Sequence, residues 1–394
     1  MARTVGINPK YLSKLDESQR TFILTATGLR FYDEFLCQHG KHLFIFGTTG
    51  SGKTNKGYSF VDWLKHLEVQ IWFDSGKQNE ILPLLCMDRK VRILTPTGTD
   101  IIIEEFKAGK WERIQDHPEV IQVSAPSDAL SSICPGSWGY QNGQNHHRRI
   151  RDTITIISFR NAFTKKEMAV EWVSQFFEEL AYRVRLGTMP DIFPASMHID
   201  ESQWAMAGKR VSGEGARTKA SENITENAFE LRSAGVREIL YAQGYTNIPP
   251  AARENMLFAV ICHGGYVSSD ENGNLSKWCV NAPQRTPHSP MQFKTWHGRF
   301  VFENGDSYPP QKPWSFRLYP KDESDRKWIA RLRVRYVGKH DIRTEEREIQ
   351  EECLPELGRF SAIAIKPEIS PVAESRWSAG IGIKGGEIME GEDD

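Results

Sequence analysis

Gly47-Thr48-Thr49-Gly50-Ser51-Gly52-Lys53-Thr54 fits the pattern G-x-x-x-x-G-K-[ST], and its flanks decide how it is read. Leu43-Phe44-Ile45-Phe46 ahead of it is a short apolar run that predicts a buried strand. Behind it, Phe60, Val61, Leu64 and Leu67 recur at helical spacing. Strand, glycine loop and helix in that order form a phosphate-binding unit. The glycines let consecutive backbone N–H groups curl around a polyphosphate. Lys53 then reaches the β- and γ-phosphates of ATP, and the Thr54 hydroxyl holds Mg²⁺.

Outward from this loop, strand-like and helix-like stretches alternate. Val69 to Asp74, Val91 to Leu94, Thr153 to Ser158, Ala195 to Ile199, Val236 to Tyr241 and Leu257 to Cys262 read as strands. Lys165 to Leu186 carries Trp172, Val173, Phe176, Phe177, Leu180 and Val184 on one helical face, and a further helix is expected around 222–234. The fold class is therefore α/β, a mostly parallel sheet with helices on both faces. Residues 124–149 are rich in Ser, Pro, Gly, Asn and Gln and read as a long excursion.

Composition bounds the partners. The 394 residues are 39% hydrophobic and 26% charged, with 11 Trp and 20 Phe, enough for a large core. A net charge of −1 requires any nucleic-acid surface to be local. No apolar stretch is long enough for a membrane span, and no export signal is visible, so a cytoplasmic setting is expected. The six cysteines are scattered without Cys-x-x-Cys and read as free thiols in a reducing compartment. Cys134 with His146 and His147 matches no common zinc spacing.

Met197-His198-Ile199-Asp200-Glu201 is an apolar strand ending in two carboxylates. An Asp there belongs to the Mg²⁺ shell, and a Glu directly after it polarises water for attack on the γ-phosphate. Gln243 ends the strand after Gly235, where it faces the ligand crevice and is placed to sense the γ-phosphate or orient water. Arg232 and Arg237 are both candidates for an arginine finger acting across a subunit boundary.

In this order, the phosphate loop, the Asp74-to-Lys77 strand end, the Asp200-Glu201 strand and the Arg232-to-Gln243 segment resemble the HerA–FtsK superfamily of P-loop ATPases. Leu231-Arg232-Ser233-Ala234-Gly235-Val236 with Ile239-Leu240-Tyr241-Ala242-Gln243 is similar to the FtsK-type pattern R-A-A-G-I…L-I-L-A-T-Q, from which Tyr241 and Ala242 depart. The resemblance covers about residues 40–264. It implies a RecA-like core, a homo-oligomeric ring (hexamer or pentamer) and ATP-driven movement of double-stranded DNA. It also favours Arg232 as the finger. A compact ATPase unit without membrane spans or an N-terminal barrel looks most like the genome-packaging ATPases of double-stranded DNA viruses. A protein-handling ATPase for filament assembly or secretion is the alternative, and a nucleotide-gated binding module is the second.

The expected organisation is a lead-in over 1–40, the ATPase core over 41–264, an aromatic, Pro-rich region over 265–380 and an acidic tail over 381–394. The C-terminal region is a candidate docking site for a capsid vertex, a nuclease or DNA. Lys209, Arg210, Arg217 and Lys219, in a Gly-rich loop after the Asp-Glu strand, are candidate DNA-backbone contacts. His146 to Arg151 forms a second basic cluster.

Overall fold

The computed structural model describes residues 6–76, 80–87, 89–115, 117–133, 153–159, 166–187, 194–206, 215–265, 298–302 and 330–336. The strands are β1 (Leu43–Phe46), β2 (Val69–Phe73), β3 (Lys90–Pro96), β4 (Thr99–Lys107), β5 (Lys110–Arg113), β6 (Glu119–Val123), β7 (Thr153–Ile157), β8 (Ala195–Ile199), β9 (Val236–Ala242), β10 (Phe258–Cys262), β11 (Gly298–Val301) and β12 (Ala330–Tyr336). Nine of them form one sheet in the order β11-β10-β1-β9-β8-β2-β7-β3-β6. Every pairing in it is parallel except β10 with β11. The central strands are buried along their whole length and mostly apolar, as a sheet covered on both faces requires, with Gln70, Ser196, His198, Arg237 and Glu238 as buried polar exceptions.

The helices are α1 (Pro9–Leu12), α2 (Glu17–Ile23), α3 (Ala26–Phe31), α4 (Lys53–Leu64), α5 (Leu82–Leu85), α6 (Pro126–Ile133), α7 (Lys166–Arg185), α8 (Gly215–Ser233) and α9 (Pro250–Asn255). One face of the sheet buries α6, α7, α8 and α9 through Leu130, Phe176, Phe177, Leu180, Ile224, Leu231 and Ala252. The other buries α4 and the lead-in helices through Phe31, Phe35, Phe60 and Trp63. Phe300 of β11 packs edge-on against Phe31 and Phe35, with centroids 5.2 and 5.4 Å apart, so the lead-in is welded to the sheet edge.

Several elements differ from the sequence expectation. Residues 126–133, read as part of an excursion, form α6 because Ala129, Leu130 and Ile133 give it a buried face. The helix expected around 222–234 starts at Gly215, since Ala216, Ala220 and Ile224 extend its apolar stripe by two turns. A second, three-stranded sheet, β12-β4-β5, was not anticipated. Its hairpin turns at Ala108 and Gly109, both at positive φ, between Phe106 and Trp111, a cross-strand aromatic pair. In the aromatic, Pro-rich region beyond 264, residues 298–301 form β11 of the main sheet and residues 330–336 form β12 of the small one.

At the N-terminal end of β9, Arg237 and Glu68 form an ion pair 2.8 Å long, with both side chains fully buried. Arg237 also donates to the carbonyls of Phe35, Gln38 and Lys41. Glu68 accepts from His39 at 2.9 Å and from the Ser196 hydroxyl. Burial alone would raise the Glu68 carboxyl, but Arg237 and these donors hold it down at about 2.

The next residue behaves oppositely. Glu238 is buried, and neither carboxyl oxygen has a hydrogen-bond partner among the described residues. Burial lifts it from 4.5 to about 8. Below pH 4.5 the group is protonated in both states. As pH rises from 4.5 towards 8, the unfolded chain releases this proton while the folded chain keeps it, so stability falls across that window. Glu238→Met is expected to raise stability by about 1–3 kcal/mol by removing an unsatisfied buried group. It is also expected to flatten this part of the stability–pH curve, as urea unfolding at a series of pH values will read. An unchanged slope would show that Glu238 is not its source.

Candidate active site

Parallel strands deliver their C-terminal ends to one edge of the sheet, and the predicted residues converge there. The phosphate loop leaves β1 with Phe46 paired to Ala242. Gly47 N donates to Ala242 O at 3.3 Å, and Thr48 N to His263 O at 3.2 Å. The loop is thus clamped between the ends of β9 and β10. Gly50 and Gly52 lie at φ +75° and +88°, conformations that the turn into α4 demands and a side chain resists. A Cβ on Gly50 would meet open space, so its backbone is accessible to a ligand. Lys53 is buried, and its ammonium donates to Gly47 O at 3.0 Å and Thr48 O at 2.9 Å, inside the loop's own curl. The Ser51 hydroxyl is buried with no partner among the described residues.

The Thr54 hydroxyl donates to Asp200 Oδ2 at 2.9 Å, which brings the start of α4 to the end of β8. Asp200 is fully buried, and its Oδ1 accepts from the Glu201 N–H at 2.8 Å. Among the described residues no group of three or more His, Cys, Asp or Glu side chains surrounds a metal position. One hydroxyl and one carboxylate nevertheless suit Mg²⁺, which keeps waters and phosphate oxygens in its shell. The residues present therefore fit a magnesium nucleotide. Glu201 sits at φ +44°, ψ 51°, a left-handed conformation that costs a non-glycine residue about 1–3 kcal/mol. The turn that follows holds it there: Trp204 N donates to Glu201 O at 2.8 Å and the Trp204 indole to Asp200 O at 3.0 Å.

Gln243 is exposed at the end of β9, between the phosphate loop after β1 and the carboxylates after β8. Asp74, one residue past the Phe73–Ile199 register pair, is buried beside Asp200 and accepts from Ser158 Oγ at 2.7 Å and Gly76 N at 2.8 Å. Under the loop, burial pulls Lys56 down to about 7 and pushes the Cys262 thiol up to about 11. The His263-Gly264 turn that braces Thr48 was not singled out from sequence. Gly264 at φ +71° was its available signal, since a Cβ there would lie 2.5 Å from Thr48.

The remaining candidates are placed elsewhere. Arg237 cannot be a finger, because its guanidinium is spent on Glu68 and three carbonyls inside the core. Arg232 is half-buried in the last turn of α8, ahead of β9 and so at the opposite sheet edge from its own phosphate loop. Lys209 and Arg210 lie outside the described residues, as do Cys134, His146 to Arg151 and Lys77. Arg217 and Lys219 are not in a loop but in the first turns of α8. Arg217 donates to the carbonyls of Gln203 and Met206, and Lys219 faces Glu178 at 4.0 Å. Cys37, Cys86 and Cys262 are free thiols. Among the described residues no helix is long and apolar enough to cross a membrane.

No family model matches this chain, and neither does any curated protein sequence. Similar solved structures include the genome packaging NTPase B204 from Sulfolobus turreted icosahedral virus 2 in complex with ATP-gammaS. It is 14% identical over 70% of this chain and 98% of that one, with a TM-score of 0.37. EssC (ATPases 2 and 3) from Geobacillus thermodenitrificans is 12% identical over 82% and 44%, with a TM-score of 0.34. The pCW3 conjugation coupling protein TcpA is 12% identical over 73% and 62%, with a TM-score of 0.34. The sheet order, the glycine loop after β1 and the Asp-Glu pair after β8 make this fold a RecA-like P-loop NTPase core.

Proposed function

We propose that this chain is an ATP hydrolase that drives movement of double-stranded DNA through a ring of identical subunits, to package a viral genome. The observation that carries the hydrolytic part is the Thr54–Asp200 contact, with Glu201 held beside it and Gln243 on the neighbouring strand end. In this reading the amides of the 47–54 loop and the Lys53 ammonium bind the phosphates. Thr54 and Asp200 would hold Mg²⁺, which when bound would neutralise charge on the phosphates. Glu201 takes the proton of the attacking water. Gln243 orients that water or reports the γ-phosphate to β9. Arg232 serves a neighbouring subunit's nucleotide, since its own loop is at the far sheet edge. The resemblance of the Arg232-to-Gln243 segment to the FtsK-type pattern supports DNA as the cargo, with Lys209 and Arg210 as backbone contacts.

The test is ATP turnover by the purified chain with and without double-stranded DNA, with the mass of the assembly measured in nucleotide. Turnover that rises severalfold with duplex DNA, in a ring-sized particle, is the expected result. Turnover indifferent to DNA overturns the DNA reading and favours a protein-handling ATPase. A monomer in nucleotide overturns the ring.

A further inference from the structure

Two residues below the catalytic strand ends lies a buried layer in which one side chain of β9 touches α4, β2 and β8. Tyr241 precedes Gln243 on β9 and is fully buried. Its hydroxyl lies 2.6 Å from His198 Nδ1, two residues before Asp200 on β8. The roles follow from the neighbours. The Gln70 amide donates to Glu68 O at 3.0 Å, so its Oε1 accepts from His198 Nε2 at 3.0 Å. His198 Nδ1 is then the acceptor, and Tyr241 donates. The ring of Tyr241 also runs under α4. A Cβ on Gly57, three residues past Thr54, would lie 2.6 Å from its hydroxyl and 2.7 Å from Cε1. Its carbonyl accepts from Ser202 Oγ at 2.8 Å, just after Glu201.

The layer continues into β2. Trp72 stacks on His198 at 5.1 Å and tilts against Tyr241 at 5.7 Å. Tyr58 of α4 stacks on Trp72 at 5.3 Å and donates to Glu80 O at 2.9 Å. The Glu80 carboxylate accepts from the Trp72 indole at 2.6 Å and from Ser75 N at 3.0 Å, next to Asp74. Tyr241 is also a position at which the chain departs from the FtsK-type pattern, where Ala stands, and Gly57 leaves the room its ring needs.

We propose that Tyr241 is a positioning residue for ATP hydrolysis, whose hydroxyl and ring fix the spacing between the phosphate-loop helix, the Asp200–Glu201 strand end and Gln243. This rests on the hydrolytic reading given above. Asp200 and Glu201 follow the end of β8, and Gln243 follows the end of β9. The Tyr241–His198 bond is the side-chain link one layer down. Loosening it lets the water-orienting groups drift relative to the phosphate loop while the loop's own contacts to phosphate persist.

The experiment is Tyr241→Phe, which keeps the ring and deletes the hydroxyl, beside His198→Leu and the double variant. Each is measured for thermal unfolding, ATP turnover well below the melting temperature, and binding of a fluorescent ATP analogue. The expected result is a fall in kcat of about tenfold in Tyr241→Phe, with KM and analogue affinity within about twofold, as loss of alignment rather than of binding predicts. His198→Leu gives a similar fall, and the double variant falls no further than the worse single one. A lowered melting temperature with unchanged kcat overturns the inference, because that is what a purely structural tyrosine would do. So does a double variant whose loss is the product of the two. No ATP turnover in the unsubstituted chain overturns the hydrolytic reading itself and this inference with it. Turnover in the unsubstituted chain and unchanged kcat in Tyr241→Phe overturn the inference alone.

Discussion

Glu201→Gln is expected to bind ATP as the unsubstituted chain does and to hydrolyse it roughly 10²–10⁴ times more slowly. The amide has the carboxylate's shape and fits the same left-handed turn, held by Trp204 N on Glu201 O and by the Glu201 N–H on Asp200. What it loses is the capacity to accept a proton from water. Lys53, Thr54 and the loop amides are untouched, so affinity persists while the chemical step fails. Steady-state phosphate release beside a fluorescent-nucleotide titration separates the two. If turnover stayed within a few-fold of the unsubstituted chain, Glu201 would not be the base. Asp74, buried on the adjacent strand end, would then be the carboxylate to examine.

Arg237→Met is expected to cost about 3–5 kcal/mol of stability, because it strands the fully buried Glu68 carboxylate. Domains of this kind carry only about 5–15 kcal/mol in total, so the variant sits near the edge of folding. Glu68→Gln in the same chain removes the uncompensated charge and is expected to recover most of the loss. The pH dependence has a definite sign. Glu68 is held near 2 when folded against an ordinary value of 4.5, so the pair's contribution is present above pH 4.5 and is lost as pH falls towards 2. In Arg237→Met that acid-side loss disappears. Urea unfolding between pH 7 and pH 3 measures both effects. Equal stability of Arg237→Met and the unsubstituted chain would contradict the buried-pair account.

The same pair shows why the sequence was only partly legible. Arg237 reads as a finger candidate alongside Arg232 in the segment that runs to Gln243, yet its partner Glu68 is 169 residues away and invisible to local reasoning. The phosphate unit was legible because strand, loop and helix are contiguous, and its conformation is written in glycine positions. The central strands were legible because a doubly covered parallel sheet leaves continuous apolar runs. β6, β11 and β12 were not, being short edge strands or strands of mixed polarity whose partners lie far along the chain. Arg217 and Lys219 were read as loop because Gly213, Gly215 and the cations suggest one. The Ala216, Ala220 and Ile224 spacing was the opposing signal, and burial against the sheet decided it.

The clamp on the phosphate loop has a consequence for how the protein is made. β1 pairs with β9 and β10, and Thr48 leans on His263, 215 residues later. On the ribosome, the Gly47–Thr54 sequence has neither neighbour until β9 and then β10 have followed it, with His263 coming 215 residues after Thr48. Contacts this distant in sequence close slowly. The nucleotide pocket is therefore among the last features of the core to be completed during synthesis. A nascent chain halted before β10 carries the motif and β9 but lacks the His263 turn on which Thr48 leans.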